Sequence, residues 1–218
     1  NNIDHMTIFT GQHEDLIKEF ENLTHRPDFV LEKTMKHKQS INSLIYKIIN
    51  ESQKIINSYD CKVIIQGDAA SSFAVALSAF NEGKEVIHVE AGLRTHNLRS
   101  PFPEEGFRKM ISHISNIHFC PTIKSVENLK NEGITENVHL VGNTIVDSCA
   151  QIIEKGESSD YLNELISSND DYYLCTLHRR ENINNFQSMW EQLNQISENK
   201  TIIYLSLIHI SEPTRQAE

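Results

Sequence analysis

Apolar positions along the chain alternate between two periodicities. Met6–Thr10 (MTIFT) is a short strand-like run. Ile41, Leu44, Ile45, Ile48, Ile49, Ile55 and Ile56 then recur at helical spacing behind Ser40, a candidate N-cap. Cys61–Gln66 (CKVIIQ) is β-branched and stops at Gly67-Asp68. Ala69–Phe80 is small on most faces, as suits a helix lying close on a sheet. Strand signals return at Glu85–Val89, Ile117–Cys120 and Val138–Val141. Helical signals fall between and after them, at Glu104–His113, Ser125–Glu132 and Thr144–Lys155. Strands separated by helices predict βαβ units, a parallel sheet and helices on both of its faces. Residues 154–171 are rich in acids and serines and carry no strand signal, which predicts a linker or an exposed helix. Tyr172–Leu177, Phe186–Ile196 and Thr201–Tyr204 begin a second α/β unit.

Composition narrows the class. The 218 residues carry 20 basic against 30 acidic side chains, a formal charge of −10. That balance argues against a nucleic-acid partner, which calls for a basic face. No apolar run reaches the ~18 residues a membrane span needs, and the first ten residues lack the features of a signal peptide. The four cysteines (Cys61, Cys120, Cys149, Cys175) are widely spaced and read as buried thiols rather than a disulfide or zinc framework. There is no HExxH, P-loop or GxGxxG, so no metal or nicotinamide cofactor is expected.

In a parallel sheet, ligands bind beyond the carboxyl ends of the strands. Three such ends carry acids here: Asp68, Glu90, and Glu104 with Glu105 at the start of a helix. A fourth carries His178 between Leu177 and Arg179. Carboxylates and a histidine sharing one rim have their pKa values pushed apart, which assigns acid and base roles. A plainer reading exists for each. Asp68 could cap the following helix, Glu104 and Glu105 suit a helix first turn, and the His178 segment could be a solvated turn. Arg94, Arg99, Arg108 and Lys109 form a locally basic patch, either an anion site or the partners of nearby acids.

The ordered motifs HVEAGLRT (88–95), SPFPEEGFR (100–108), HFCPT (118–122), GNTIVD (142–147) and LHRREN (177–182) closely resemble the non-hydrolysing UDP-N-acetylglucosamine 2-epimerases. The resemblance runs from about Met6 to Tyr204. It implies a GT-B-like pair of Rossmann-like domains with UDP-sugar between them. It also implies reversible conversion of UDP-N-acetylglucosamine to UDP-N-acetylmannosamine by loss and return of UDP, in the cytoplasm, for surface-polysaccharide precursors. Matched position by position, the catalytic carboxylates fall on Asp68, Glu90 and Glu104 and the active-site histidine on His178. Arg108, Arg94 and Arg179 are expected to bind substrate. Thr10-Gly11-Gln12-His13 resembles a segment that binds a second, activating substrate molecule. Gln12 and His13 are therefore regulatory candidates, although Glu14 stands where an Arg is usual. Partners are UDP-N-acetylglucosamine and UDP, without nucleic acid or membrane, and a homodimer by family analogy.

The resemblance also divides the chain. Residues 1–150 form a first Rossmann-like domain lacking its opening βα unit, 151–171 the inter-domain segment, and 172–204 the start of an incomplete second domain. Residues 205–218 (LSLIHISEPTRQAE) match nothing in the family and are expected to be a non-native tail. Two alternatives stay open: a GT-B glycosyltransferase using a UDP-sugar, or a fragment of the epimerase without turnover.

Overall fold

The computed structural model describes residues 4–11, 26–31, 39–156, 159–168, 171–176 and 186–205. The chain divides into two compact units, Asn1–Ser148 and Cys149–Glu218.

In the first unit a parallel pair, β1 (Ile8–Phe9) and β2 (Phe29–Val30), precedes helix α1 (Ile41–Asn57). Ser40 caps α1 by accepting from Ser43 N at 3.2 Å, as its sequence position predicts. The main sheet follows in chain order and is parallel throughout: β3 (Val63–Gln66), β4 (Val86–Val89), β5 (Ile117–Cys120) and β6 (Val138–Leu140). Its crossovers are α2 (Ala70–Asn81), α3 (Glu104–Ile114) and α4 (Ile123–Asn131). Helix α4 begins two residues before its apolar pattern suggests, because Thr122 caps it by accepting from Ser125 N at 3.1 Å. The chain then enters α5 (Thr144–Lys155). This is the parallel α/β class that the alternation predicts.

The register aligns Ile65, His88 and His118 side by side, and strict alternation then fixes the faces. Val86, His88, His118 and Cys120 are buried on one face. Ile48 and Ile56 of α1, the alanines of α2 and Ile111 of α3 cluster with Ile65 and Val86. Each fully buried Ile or Val contributes about 1.5–3 kcal/mol of burial. Leu129 of α4 packs with Ala91 and Cys120 in a second cluster. Phe73 of α2 stacks on Phe107 of α3, ring centroids 4.9 Å apart and planes 10° apart. That contact fixes the helix carrying Arg108 against the helix that follows Asp68.

The second unit holds α6 (Asp160–Ser167), β7 (Tyr172–Thr176), α7 (Phe186–Ser197) and β8 (Thr201–Leu205). β7 and β8 pair in parallel over five residues. Trp190 meets Tyr204 edge-on at 5.6 Å. All four cysteines are free, but only Cys120 is buried; Cys149 is exposed on α5, a helix with no buried residue. Among the described residues, no helix is long and apolar enough to cross a membrane.

Candidate active site

β3 ends at Gln66, and the next residue, Gly67, has a φ of +70° that begins a tight turn into Asp68. Asp68 does not cap α2. The N-cap is Ala69, with no side-chain cap bond. The Asp68 carboxylate instead accepts from Arg108 Nη2, one turn into α3. Helix capping therefore does not account for Asp68.

Glu90 follows β4 with φ of +66°, in the left-handed region. A non-glycine residue held there costs about 1–2 kcal/mol, and such strain gathers at functional sites. The flanking backbone enforces it: Gly67 N donates to Val89 O at 3.1 Å, and Ala91 N to Phe119 O at 3.0 Å. Glu90 therefore turns its carboxylate back toward the β3 end. A Cβ placed on Gly67 would lie 3.4 Å from Glu90 Oε2. Burial pushes the Glu90 carboxyl above the usual carboxylate range, the Asp68 charge adds to the rise, and Arg108 opposes it. Glu90 also lines a 460 Å³ cleft with Gln66, Asn143, Thr144, Ile145 and Ser148. The cleft thus sits at the carboxyl ends of β3 and β4 and the start of α5.

Glu104 is the first residue of α3 and half-buried. Its carboxylate has no hydrogen-bonded partner among the described residues. It lies four residues before Arg108, on the same helix face. Asp68, Glu90 and Arg108 thus gather from two strand ends and one helix, with Glu104 one helical turn before Arg108. Ser72 donates to Gln66 O at 2.6 Å and ties the start of α2 to the end of β3.

Arg94 is placed elsewhere. Its side chain is fully buried. Nε and Nη2 grip the Glu132 carboxylate at 2.9 and 2.7 Å, Nη2 also donates to Ser112 Oγ, and Nη1 donates to Leu93 O. Lys109 adds a contact to Glu132 at 3.4 Å. The expected substrate-binding role of Arg94 gives way to an internal one, because its donors are taken up inside the fold. Much of the basic patch is likewise paired with acids, and Arg99 lies over the Phe102 ring at 5.8 Å. His178, Arg179, Gln12 and His13 lie outside the described residues.

Two residues at the site carry no mark in the sequence that separates them from their neighbours. His88, buried on β4, donates from Nε2 to Gly67 O at 3.0 Å and supports the turn that presents Asp68. Desolvation lowers its pKa to about 4, so the ring is neutral at physiological pH. The second is Glu105, completely buried beside Glu104. It accepts from Thr95 N at 3.0 Å and His96 N at 3.1 Å. Among the described residues, no cluster of His, Cys, Asp and Glu could hold a metal ion.

Parallel sheets crossed over by helices define the general class, a Rossmann-like α/β protein with acids at its strand ends. A family model described as UDP-N-acetylglucosamine 2-epimerase matches residues 1–217. The UDP-N-acetylglucosamine 2-epimerase of Salmonella borreze is 34% identical over 220 residues, covering 95% of this chain and 58% of that protein. The Bacillus subtilis (strain 168) protein of the same name is 32% identical, covering 99% and 57%. Among solved structures, the Neisseria meningitidis UDP-GlcNAc 2-epimerase bound to UDP-GlcNAc superposes with a TM-score of 0.81 at 30% identity, covering 94% of this chain and 59% of that one. The Methanocaldococcus jannaschii enzyme in complex with UDP-GlcNAc and UDP gives 0.83 at 29% identity, covering 99% and 62%. The chain belongs to the UDP-N-acetylglucosamine 2-epimerase family. It spans a little over half the length of the curated relatives it matches.

Proposed function

We propose that this chain supplies the carboxylate-bearing part of an enzyme that interconverts UDP-N-acetylglucosamine and UDP-N-acetylmannosamine. The observation that carries the reading is the Arg108–Asp68 ion pair set beside Glu90. It draws three separate elements onto one rim, while among the described residues Glu104 has no hydrogen-bonded or ion-paired partner.

Carbon 2 of the sugar is weakly acidic, so its inversion needs a base on one face and an acid on the other. One rim carboxylate takes the carbon 2 proton. The electron pair forms the carbon 1–carbon 2 double bond as the bond from carbon 1 to the phosphate oxygen breaks, and UDP carries away the negative charge. A second carboxyl group returns a proton to the opposite face of carbon 2, and UDP adds back to carbon 1. Burial and the Asp68 charge raise the Glu90 pKa, which suits it to hold and hand on a proton better than an ordinary surface carboxylate. Arg108 steadies the negative charge on the rim and on the departing group. His178 and Arg179 remain further proposals for the UDP side. The homodimer, the cytoplasmic setting and the role in polysaccharide precursor supply belong to the same proposal.

The test uses the chain extended to the length of its relatives, given UDP-N-acetylglucosamine in heavy water. UDP-N-acetylmannosamine should form, and deuterium should enter carbon 2. The absence of both product and label would sink the proposal. A glycosyltransferase would show no such exchange. Asp68→Asn and Glu104→Gln should each lower turnover by about 100-fold or more while circular dichroism shows the fold intact. Near-normal rates would remove that residue from the machinery.

A further inference from the structure

We infer that Glu105 is the positioning residue of this site: its buried carboxylate clamps the Thr95–His96 loop and the Arg108 guanidinium in one grip. In its activity the inference rests on the proposed epimerase reading.

Glu105 is completely buried, although Glu is seldom fully buried unless paired. Oε2 accepts from Thr95 N at 3.0 Å and lies 3.5 Å from Arg108 Nη1. Oε1 accepts from His96 N at 3.1 Å. His96 has φ of +60°, a conformation that needs an external hold. One carboxylate therefore fixes the segment leaving β4 and the arginine that meets Asp68. Glu105 also sits directly after Glu104, so the same grip sets where the first turn of α3 presents that acid.

The chemistry demands a carboxylate. Three donors converge on its two oxygens. A glutamine has one acceptor oxygen, so its NH₂ group must oppose either His96 N–H or both Thr95 N–H and Arg108. An unpaired buried donor is costly, so the loop or the arginine has to move. Neither an N-terminal dipole role nor a solvated acid explains full burial with two backbone donors.

The test reads Glu90, whose carboxyl faces Asp68 and Arg108. Carbon-13 NMR of the carboxyl groups, with Glu90→Gln for assignment, follows its titration in the 218-residue chain. If Glu105 places Arg108, Glu105→Gln weakens the opposing cation and Glu90 titrates higher, by about one pH unit. If Glu105 is only a nearby negative charge, its loss moves Glu90 down. If it is only packing, the melting temperature falls and Glu90 stays where it was. Either of the last two results overturns the inference. In an Arg108→Gln background the upward step should vanish, and its persistence also counts against the inference. Glu105→Asp, which keeps the charge but is one methylene short, should raise Glu90 too and answers the question should the glutamine variant not fold. In the extended chain, Glu105→Gln should lower turnover about 10- to 100-fold with KM changed far less. An inactive extended wild type would count against the epimerase reading alone, since the NMR result stands apart from turnover.

Discussion

Arg108 holds Asp68 with one nitrogen and faces Glu105 with another, and the neutral His88 supports the turn beneath Asp68. His88 makes that support sensitive to acid. Its folded pKa, about 4, lies below the ordinary 6.5 because burial penalises the imidazolium, with His118, Arg94 and Arg108 adding repulsion. A lowered folded pKa means that the unfolded chain takes the proton first. The contribution is therefore whole above pH 6.5 and is lost as pH falls toward 4, reaching about 3 kcal/mol. His118 shifts the same way, by burial and by Arg94. Urea unfolding followed by circular dichroism should show stability dropping across that window. His88→Gln keeps an N–H donor but does not titrate, so its profile should be flatter even if the variant is weaker at neutral pH. Parallel profiles would show that His88 does not carry the effect.

At the scale of elements, the segment after β4 is shaped by contact with α4. Gly92 has φ of +81°, and a Cβ there would fall 2.3 Å from Ser125 O, a backbone atom. Asn128 Nδ2 donates to Gly92 O at 2.9 Å and closes the joint. Gly133 has nearly the same φ, +82°, with nothing within 4 Å of a Cβ. Gly133→Ala should therefore cost only the left-handed strain, about 1–2 kcal/mol. Gly92→Ala should cost about 1–3 kcal/mol more, from the clash. Equal losses in urea unfolding would refute the close-contact account. The strands and their acidic ends could be read from sequence because a β-branched run stopped by Gly-Asp or Glu-Ala-Gly is a local signal. The roles of Glu104 and Glu105 could not. Adjacent residues on a helix point about 100° apart, and Phe107, Ile111 and Ser112 extend back to either position. Arg94 was equally opaque, since its partner Glu132 lies 38 positions along the chain and meets it only after α3 and α4 have packed.

The two units of the molecule differ in how much surface they bury. Among the described residues, those of the first unit supply both apolar clusters and every buried position. In the second unit no described residue is buried, and the sheet that its described residues form has two strands. A two-stranded sheet without a buried core is marginal in water, whereas four parallel strands under packed helices make a cooperative block. The chain should therefore lose its structure in two stages. The single tryptophan, Trp190, stands in the second unit against Tyr204 and reports on that unit. The larger share of the described helical residues lies in the first unit, so most of the far-ultraviolet circular dichroism signal reports on it. In a urea titration, tryptophan fluorescence should change at clearly lower denaturant than the helical signal. The Ile48→Ala change in α1 should move only the helical transition, by about 2–5 kcal/mol for a completely buried isoleucine. Coincident transitions that both shift in that variant would show instead that the two units fold as one, with the second drawing its stability from the core of the first.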